Sequence, residues 1–323
     1  MSFSSDTKIE LARVEAAKKC CMLAEIAGFI RVSGSVKLVG GGKMKLVIAT
    51  EHPAVARHYK KLIKEYFDVD ATLEIEEGTS GLTKGRQYIL TLDDREDQRA
   101  ELIMRETGIL MIREGMNYIS DGIYSGLIRS KCCRKSYLRG AFLGIGTMSN
   151  PEKGYHYELV CATEVLANDL KKLLNSFVDI NAKVVQRKKS YIVYVKDAGQ
   201  VGDLLNIMGA HQQYFELENI RMKKDLRNQT NRLINCDTAN LDKTLNAAER
   251  QLAAIELIET EKGLGFLPQK LQDVAVLRKE NREATLQELA EMCDPPMKKS
   301  GLNNRFRKIE EIAKKIEESR KLI

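Results

Sequence analysis

Two apolar segments of this chain each combine small residues with a terminal glycine. The first runs from Ile26 to Gly34 and closes a predicted helix that starts near Thr7, and the second runs from Leu138 to Gly146. The small residues lie three or four positions apart and share one helix face; they are Ala24, Ala27 and Gly28 in the first segment and Gly140, Ala141 and Gly144 in the second. Either segment alone is typical of an ordinary buried helix. Together they predict two helices whose backbones pack closely against each other.

The same order of predicted elements follows each helix. A hairpin signal comes first, with two strand-like runs around Gly40-Gly41-Gly42 in the first copy. A helix, two more strands and a closing helix come next, and the closing helix begins after Asp93-Asp94, a favourable N-cap pair. The predicted strands are Val36–Val39, Lys45–Thr50, Ala71–Ile75 and Gln87–Leu92 in the first copy, and Tyr155–Thr163 and Ser190–Val195 in the second.

Matching stretches in the two halves keep an offset of roughly 103 to 113 positions. We therefore predict a duplicated αββαββα module in residues 1–215, with repeats at about 7–107 and 130–210. The segment Thr107–Lys135 is the joint, where the extra helix of the first copy runs into the second copy.

Beyond Phe215 the strand signals stop. Residues 216–240 are predicted as a basic linker, and residues 241–323 as a helical DNA-binding domain whose first helix ends at Lys262-Gly263. The linker supplies a candidate secondary DNA contact, formed by Arg221, Lys223, Lys224, Arg227 and Arg232. A solvated face is an equally good interpretation of these charges.

The pattern near the C-terminus predicts a helix-turn-helix at about 285–315. Thr285 and Glu288 form a capping-box pair, and Asp294-Pro295-Pro296 ends the short helix that follows it. A second helix starts near Ser300, with an apolar stripe formed by Leu302, Phe306 and Ile309. The opposite face is polar and basic.

That polar face has the side chains that a recognition helix requires. Asn and Arg pair with adenine and guanine edges in the major groove, and flanking Lys and Arg neutralise phosphates. A charged solvent face is the alternative. The candidate DNA-binding residues are Thr285, Gln287, Lys298, Lys299, Ser300, Asn303, Asn304, Arg305, Arg307 and Lys308.

Composition excludes several other classes of protein. No apolar run approaches the ~20 residues that span a bilayer, and the N-terminus lacks the features of a signal peptide. The seven cysteines contain no Cys-x-x-Cys, which favours reduced thiols in a cytoplasmic protein over a disulfide framework or a zinc site. We expect no cofactor and no bound metal. The net charge of +7 is a mild indication of polyanionic partners.

Taken together, these residues resemble two known groups of proteins. The duplicated module with glycine-ended helices is similar to the LAGLIDADG homing endonuclease fold. With a C-terminal helix-turn-helix it resembles the WhiA family, and the strings Tyr137–Leu143 and Asn231–Thr244 support that resemblance. The fold class implied is α+β: a duplicated αββαββα LAGLIDADG-like N-terminal domain followed by an all-α helix-turn-helix domain.

The resemblance implies a DNA-binding transcriptional regulator of cell division, chromosome segregation and sporulation, associated with the nucleoid. Double-stranded DNA is the implied partner, together with proteins of the division or transcription machinery. An interaction protein of the division and segregation machinery, with secondary DNA binding, is the alternative. The oligomeric state stays open.

The sequence departs from the nuclease pattern at the catalytic positions. LAGLIDADG nucleases carry an acidic residue before the final glycine of each helix, where this chain has Ser33 and Ile145. The second acidic position of the motif holds Arg31 and Leu143. A hydroxyl and an alkyl side chain do not replace two carboxylates around Mg²⁺. We therefore expect no catalytic residues and no strand cleavage, and a working nuclease is the disfavoured reading.

Overall fold

The computed structural model describes residues 2–77 and 85–320. The chain divides into two compact units, residues 1–223 and 224–323. Helix α8 (His211–Lys262) contains the boundary between them. The first unit is the duplicated α/β domain and the second is entirely helical over its described residues.

The first unit repeats one order of elements, αββαββα, as the sequence predicts. Its first copy consists of α2 (Lys19–Ser33), β1 (Gly34–Leu38), β2 (Met44–Thr50), α3 (Pro53–Phe67), β3 (Thr72–Glu77), β4 (Arg86–Asp93) and α4 (Ala100–Glu106). The second copy consists of α5 (Lys131–Ile145), β7 (Gly146–Met148), β8 (Tyr157–Cys161), α6 (Glu164–Leu174), β9 (Lys183–Arg187), β10 (Ser190–Val195) and α7 (Ala198–Met208).

Each copy builds a four-stranded antiparallel sheet with the same topology. The strand order is β1-β2-β4-β3 in one sheet and β7-β8-β10-β9 in the other. In the first sheet Leu46 pairs with Leu92, and in the second Leu159 pairs with Val193. All four of these side chains are fully buried. The alternation of apolar and polar residues therefore turns one face of each sheet to the core.

The single helix predicted from near Thr7 to Gly34 is in fact two helices, α1 (Phe3–Leu11) and α2. Tertiary contacts give α1 its own position. Its Glu10 carboxylate accepts the backbone N–H groups of Gln212 and Gln213 at 2.8 and 3.0 Å. These groups belong to the first turn of α8, which has no acidic residue of its own. A carboxylate there satisfies free N–H groups and complements the helix dipole.

The predicted joint Thr107–Lys135 contains a hairpin as well as the start of α5, which corrects the expectation of a helical connection. Strands β5 (Leu110–Arg113) and β6 (Met116–Ile119) pair in antiparallel register. Glu114 and Gly115 connect them, both with positive φ, as a two-residue hairpin turn requires. The closing helix also begins later than predicted: Asp93 caps a short 3-10 turn, and α4 starts at Ala100.

The second unit packs the C-terminal part of α8 against α9 (Gln269–Glu280), α10 (Leu286–Met292) and α11 (Lys299–Arg320). Its core includes Ile255, Leu271, Leu289 and Phe306, one from each helix. Residues 216–240, predicted as a basic linker, lie within α8 and are helical throughout.

Candidate nucleic-acid interface and degenerate nuclease site

Helices α10 and α11 form the helix-turn-helix of the second unit. The Thr285 hydroxyl accepts the N–H of Glu288, and the Glu288 carboxylate accepts the N–H of Thr285 at 2.7 Å. This reciprocal pair is the capping box that the sequence indicates. After α10, the N–H of Met297 donates to the carbonyl of Ala290 at 3.0 Å. The connection is thereby tied back to the helix that it leaves.

One side of α11 is fixed in the core and the other is left to solvent. Leu302, Phe306 and Ile309 are buried, as their spacing predicts. Among the candidate residues at the start of α11 and on its opposite side, Asn303 is half-buried and the others are exposed; the exposed ones are Lys298, Lys299, Ser300, Asn304, Arg307 and Lys308. The structure therefore brings seven of the ten candidate DNA-binding residues to the start and outer face of one helix.

The remaining three candidates have structural partners. Thr285 is the cap of α10, and Gln287 is exposed and donates to Glu291 at 2.7 Å. Arg305 is half-buried, and its guanidinium faces the carbonyl of Lys270 in α9 at 3.4 Å. At 100° per residue, Arg305 lies on the flank of α11 beside the buried stripe. It belongs to the α9–α11 contact and not to the outer face.

Arg278, a buried arginine that was not predicted, holds the segment that leads into α10. Arg278 of α9 is 1% exposed. It donates to Gln251 at 3.0 Å and to the carbonyl of Ala284 at 2.6 Å, and it lies over the Phe306 ring at 5.4 Å. Burial lowers the pKa of Arg278 from its usual value. Arg278 follows Leu271, Val274 and Ala275 at helical spacing, and this local signal places it on the buried face of α9.

The basic residues predicted as a secondary contact all lie on α8. Lys223, Arg227 and Arg232 are exposed, Lys224 is half-buried, and Arg221 pairs with Glu218 at 3.4 Å. At 100° per residue they spread over about half of the helix circumference. They are therefore not confined to one narrow stripe of α8.

In the first unit, α2 and α5 pack with almost nothing between them. A Cβ atom added to Gly28 would lie 2.3 Å from the Tyr137 carbonyl oxygen, and one on Gly140 would lie 2.2 Å from that of Glu25. One on Gly144 would lie 2.4 Å from Ser33 Oγ. Only glycine fits at Gly28 and Gly140, where the nearest atoms belong to the backbone, and this confirms the predicted close approach.

A buried charge network lies beside these glycines and was not predicted. Glu25 of α2 accepts from Arg139 of α5 at 2.6 Å and faces His58 Nε2 at 2.9 Å. Arg139 also donates to the carbonyl of Met208 at 2.9 Å. Burial acts to raise the pKa of Glu25, but the His58 hydrogen bond and the Arg139 charge outweigh it and hold the pKa below its usual value.

The degenerate catalytic positions lie at the C-terminal ends of these two helices. Ser33 faces Gly144, and Ile145 packs partly against the core. Within residues 2–77 and 85–320, no group of three or more carboxylates or histidines lies close enough there to share a metal ion. The one group of potential metal ligands in these residues consists of cysteines at the opposite ends of the helices. The donor set does not fit a hard divalent cation, which prefers anionic oxygen ligands.

Arg31 lies at the other acidic position of the motif and stabilises the local structure. Its guanidinium donates to the carbonyl of Gly108 at 2.7 Å and to that of Ser120. These carbonyls flank the β5–β6 hairpin, so Arg31 attaches the hairpin to the end of α2. This acidic position of the motif therefore holds a cation that binds backbone carbonyls.

The edge strands of the two sheets differ in charge. Strand β3 exposes Glu74, Glu76 and Glu77, whereas β9 exposes Lys183 and Arg187. A phosphate backbone lying across both sheets would meet repulsion on one side.

Among the helices of residues 2–77 and 85–320, none combines the length and the hydropathy of a membrane span.

These features define a class: a duplicated LAGLIDADG-like domain without its motif carboxylates, followed by a helix-turn-helix domain. Three family profiles agree with it. They are the WhiA N-terminal LAGLIDADG-like domain at residues 19–110, the WhiA LAGLIDADG-like domain at 134–227 and the WhiA C-terminal HTH domain at 230–313. The chain belongs to the WhiA family.

Individual relatives match over nearly the whole chain. The probable cell division protein WhiA of Alkaliphilus metalliredigens is 45% identical over 313 residues, covering 97% of this chain and 98% of the relative. That of Thermoanaerobacter pseudethanolicus is 45% identical over 320 residues, covering 99% of both chains. The crystal structure of full-length DUF199/WhiA from Thermatoga maritima is 26% identical with a TM-score of 0.60, covering 98% of this chain and 99% of that one.

Proposed function

We propose that this chain is a DNA-binding transcriptional regulator of cell division, chromosome segregation and sporulation that acts at the nucleoid and does not cleave DNA. The observation that carries the proposal is the outer face of α11. There Asn304 and Arg307 are exposed on a helix whose other side is fixed in a core. A recognition helix needs a rigid axis and free side chains of base-reading type.

The DNA-contact residues fall into two roles. Asn303, Asn304 and Arg307 lie along the outer face and supply base readout through bidentate hydrogen bonds. Lys298, Lys299 and Lys308 supply phosphate contacts that set the register on the duplex. The basic surface of α8 adds sequence-independent affinity through Lys223, Arg227 and Arg232.

The absence of cleavage is part of the proposal. Nuclease chemistry at this fold needs two carboxylates to hold the metal ions, and the chain supplies Ser33 and Ile145. Incubation of purified protein with plasmid DNA and Mg²⁺ tests the point, and we expect the supercoiled form to persist. Cutting that depends on Mg²⁺ and disappears in a Ser33→Ala variant would contradict it.

A second candidate function is an interaction protein of the division and segregation machinery in which DNA binding is secondary. The β5–β6 hairpin favours it. This hairpin exposes Ile112 and Ile119 on one face and Met116 on the other. Exposed apolar side chains grouped in this way are typical of protein contacts.

Chromatin immunoprecipitation separates the two functions. We expect promoter enrichment for the wild-type chain and its loss for the Asn303→Ala/Arg307→Ala double variant at equal protein level. Lys315→Ala is the matched control, because Lys315 is an exposed cation on α11 outside the basic run 298–308. Wild-type protein without promoter enrichment, or enrichment that survives the double substitution, would favour the interaction function.

A further inference from the structure

Four cysteines meet at the N-terminal ends of α2 and α5. The Sγ atoms of Cys20, Cys21 and Cys133 all lie within 4.8 Å of one another. Cys132 is the neighbour of Cys133 in the first turn of α5, and its Sγ is 3.1 Å from Ser130 Oγ. All four are free thiols. We call Cys20, Cys21, Cys132 and Cys133 the cysteine cluster.

The cluster is a product of the duplication. Cys20-Cys21 occupies the first turn of α2, and Cys132-Cys133 occupies the same turn of α5. The close approach at Gly28 brings the two helices together along this interface. Two pairs that are remote in sequence therefore face each other, which is why ligand spacing along the chain does not reveal them.

The distances suit a tetrahedral thiolate site. Zinc–sulfur bonds of ~2.3 Å place the sulfurs of a tetrahedral site about 3.8 Å apart. Small side-chain rotations bring the sulfurs of Cys20, Cys21 and Cys133, which already lie within 4.8 Å of one another, to that separation. The Cys132 side chain has to rotate towards them to supply the fourth ligand. Cys21 and Cys133 are buried, while Cys20 is exposed. An ion can thus arrive from solvent and exchange its water for sulfur.

Positive charge surrounds the cluster, whereas burial opposes ionisation: it raises the pKa of Cys21 to about 12 and that of Cys133 above its usual value. Neither α2 nor α5 has an acidic residue in its first turn, although helix N-termini usually attract acids. Exposed Lys18, Lys19 and Lys131 flank the cluster in the sequence. The positive ends of two helices and these ammonium groups balance the net negative charge of a zinc–tetrathiolate complex.

We infer that the cysteine cluster binds one thiophilic divalent cation, with zinc as the best-fitting ion. Each of the four thiols loses one proton to solvent and forms one metal–sulfur bond, so neither an oxidant nor a reductant takes part. The bound ion ties α2 to α5 at the ends opposite the degenerate catalytic positions. The ion would be structural, because four protein ligands leave no open position for substrate.

Cobalt titration of the reduced, metal-free, full-length protein tests the inference. We expect saturation at one equivalent, with thiolate-to-cobalt charge-transfer absorption and the visible bands of tetrahedral Co²⁺, and displacement by one equivalent of Zn²⁺. The Cys20→Ser/Cys132→Ser double variant should bind Co²⁺ more than about tenfold more weakly, since even loss of an outer-shell partner costs that much. Circular dichroism verifies that the variant is folded.

Cys236→Ser is the matched control, because Cys236 is an exposed thiol on α8 outside the cluster. Its cobalt spectrum should equal that of the wild type. Two results would overturn the inference: reduced wild-type protein without a charge-transfer band, and a folded double variant whose spectrum and affinity are unchanged. A disulfide between α2 and α5 in protein that binds no Co²⁺ when reduced would assign the cluster to redox chemistry instead.

Discussion

Arg139 Nη2 lies 2.6 Å from Glu25 Oε2, and both side chains are almost completely buried between α2 and α5. The pair lies beside Gly140, whose missing side chain lets the Glu25 backbone approach. Because water is excluded, neither charge has an alternative partner in solvent. The two helices are therefore held by a polar contact in the middle of an otherwise apolar interface.

Removing one member of this pair should destabilise the first unit strongly. We expect Glu25→Ala to lower the free energy of unfolding by about 3–5 kcal/mol, because it leaves the Arg139 guanidinium buried and unpaired. Urea denaturation followed by circular dichroism measures the change. Glu101→Ala is the control, since Glu101 pairs with Arg105 on the surface and should contribute at most about 0.5 kcal/mol. Equal losses in the two variants would contradict the assignment.

The same carboxylate should make stability depend on pH in the acid range. The pKa of Glu25 is lower in the folded protein than in the unfolded chain, so its contribution is complete above the unfolded value of ~4.3. It is lost as pH falls from that value through the folded pKa. Unfolding free energies of wild type and Glu25→Gln, measured between neutral and acidic pH, should therefore converge as pH falls. Parallel curves would exclude Glu25 as the titrating group.

The close helix contact predicts that small additions are not tolerated. Gly28→Ala and Gly140→Ala each place a methyl group within 2.3 Å of a backbone oxygen, so we expect losses of at least about 3 kcal/mol. Gly301→Ala in α11 meets nothing within 4 Å and should raise helix stability by about 0.5–1 kcal/mol. Thermal unfolding of the three variants tests the contrast. A neutral Gly140→Ala would show that the interface can relax.

Arg278 should govern the second unit. Arg278→Met keeps much of the apolar stem but leaves the Ala284 carbonyl and Gln251 without their donor, and we expect a loss of about 3 kcal/mol. DNA affinity should fall with it, because the chain entering α10 loses its anchor. Arg282→Ala is the control, since the Arg282–Glu256 pair is exposed. Hydrogen exchange of α9 and α10 locates the effect, and unchanged protection there would refute it.

Substitutions at base-reading and at phosphate-contacting residues should have different effects in DNA-binding assays. Arg307→Ala should weaken binding to a cognate site by about 1–3 kcal/mol and leave non-specific binding nearly unchanged. Lys298→Ala should weaken both kinds of binding and reduce the slope of log affinity against log salt by about one unit. Fluorescence anisotropy over a salt series gives both quantities. Identical behaviour of the two variants would rule out this division of roles.

Local patterns were sufficient for much of the fold. The capping pair Thr285–Glu288, the strand alternation and the small-residue faces at Gly28 and Gly140 each reflect a short-range rule of backbone geometry. The predicted family and fold class are confirmed, because both predictions depend on such local patterns. The hairpin at 110–119 also had a local signal, the Glu114-Gly115 turn between β-forming residues, which was passed over.

The unpredicted features depend on contacts between distant segments. The Glu25–Arg139 pair forms only when α2 and α5 are placed together, and Arg278 meets Gln251 only when α9 packs on α8. The break between α1 and α2 follows from the docking of Glu10 on α8. At the candidate DNA interface, residue type alone indicated a DNA contact for Arg305. Its position around the axis of α11 directs the side chain towards the Lys270 carbonyl. The cysteine cluster joins the two copies and has no local signature.

The Glu25–Arg139 pair also decides which helix accepts which neighbour. The duplicated positions are not equivalent: Ala27 of α2 corresponds to Arg139 of α5, and Tyr137 of α5 corresponds to Glu25 of α2. If two molecules joined through like helices, α2 on α2 would bury Glu25 without Arg139, and α5 on α5 would bury Arg139 without Glu25. Each costs several kcal/mol. The two halves are therefore complementary to each other and not to themselves, which favours their pairing within one chain.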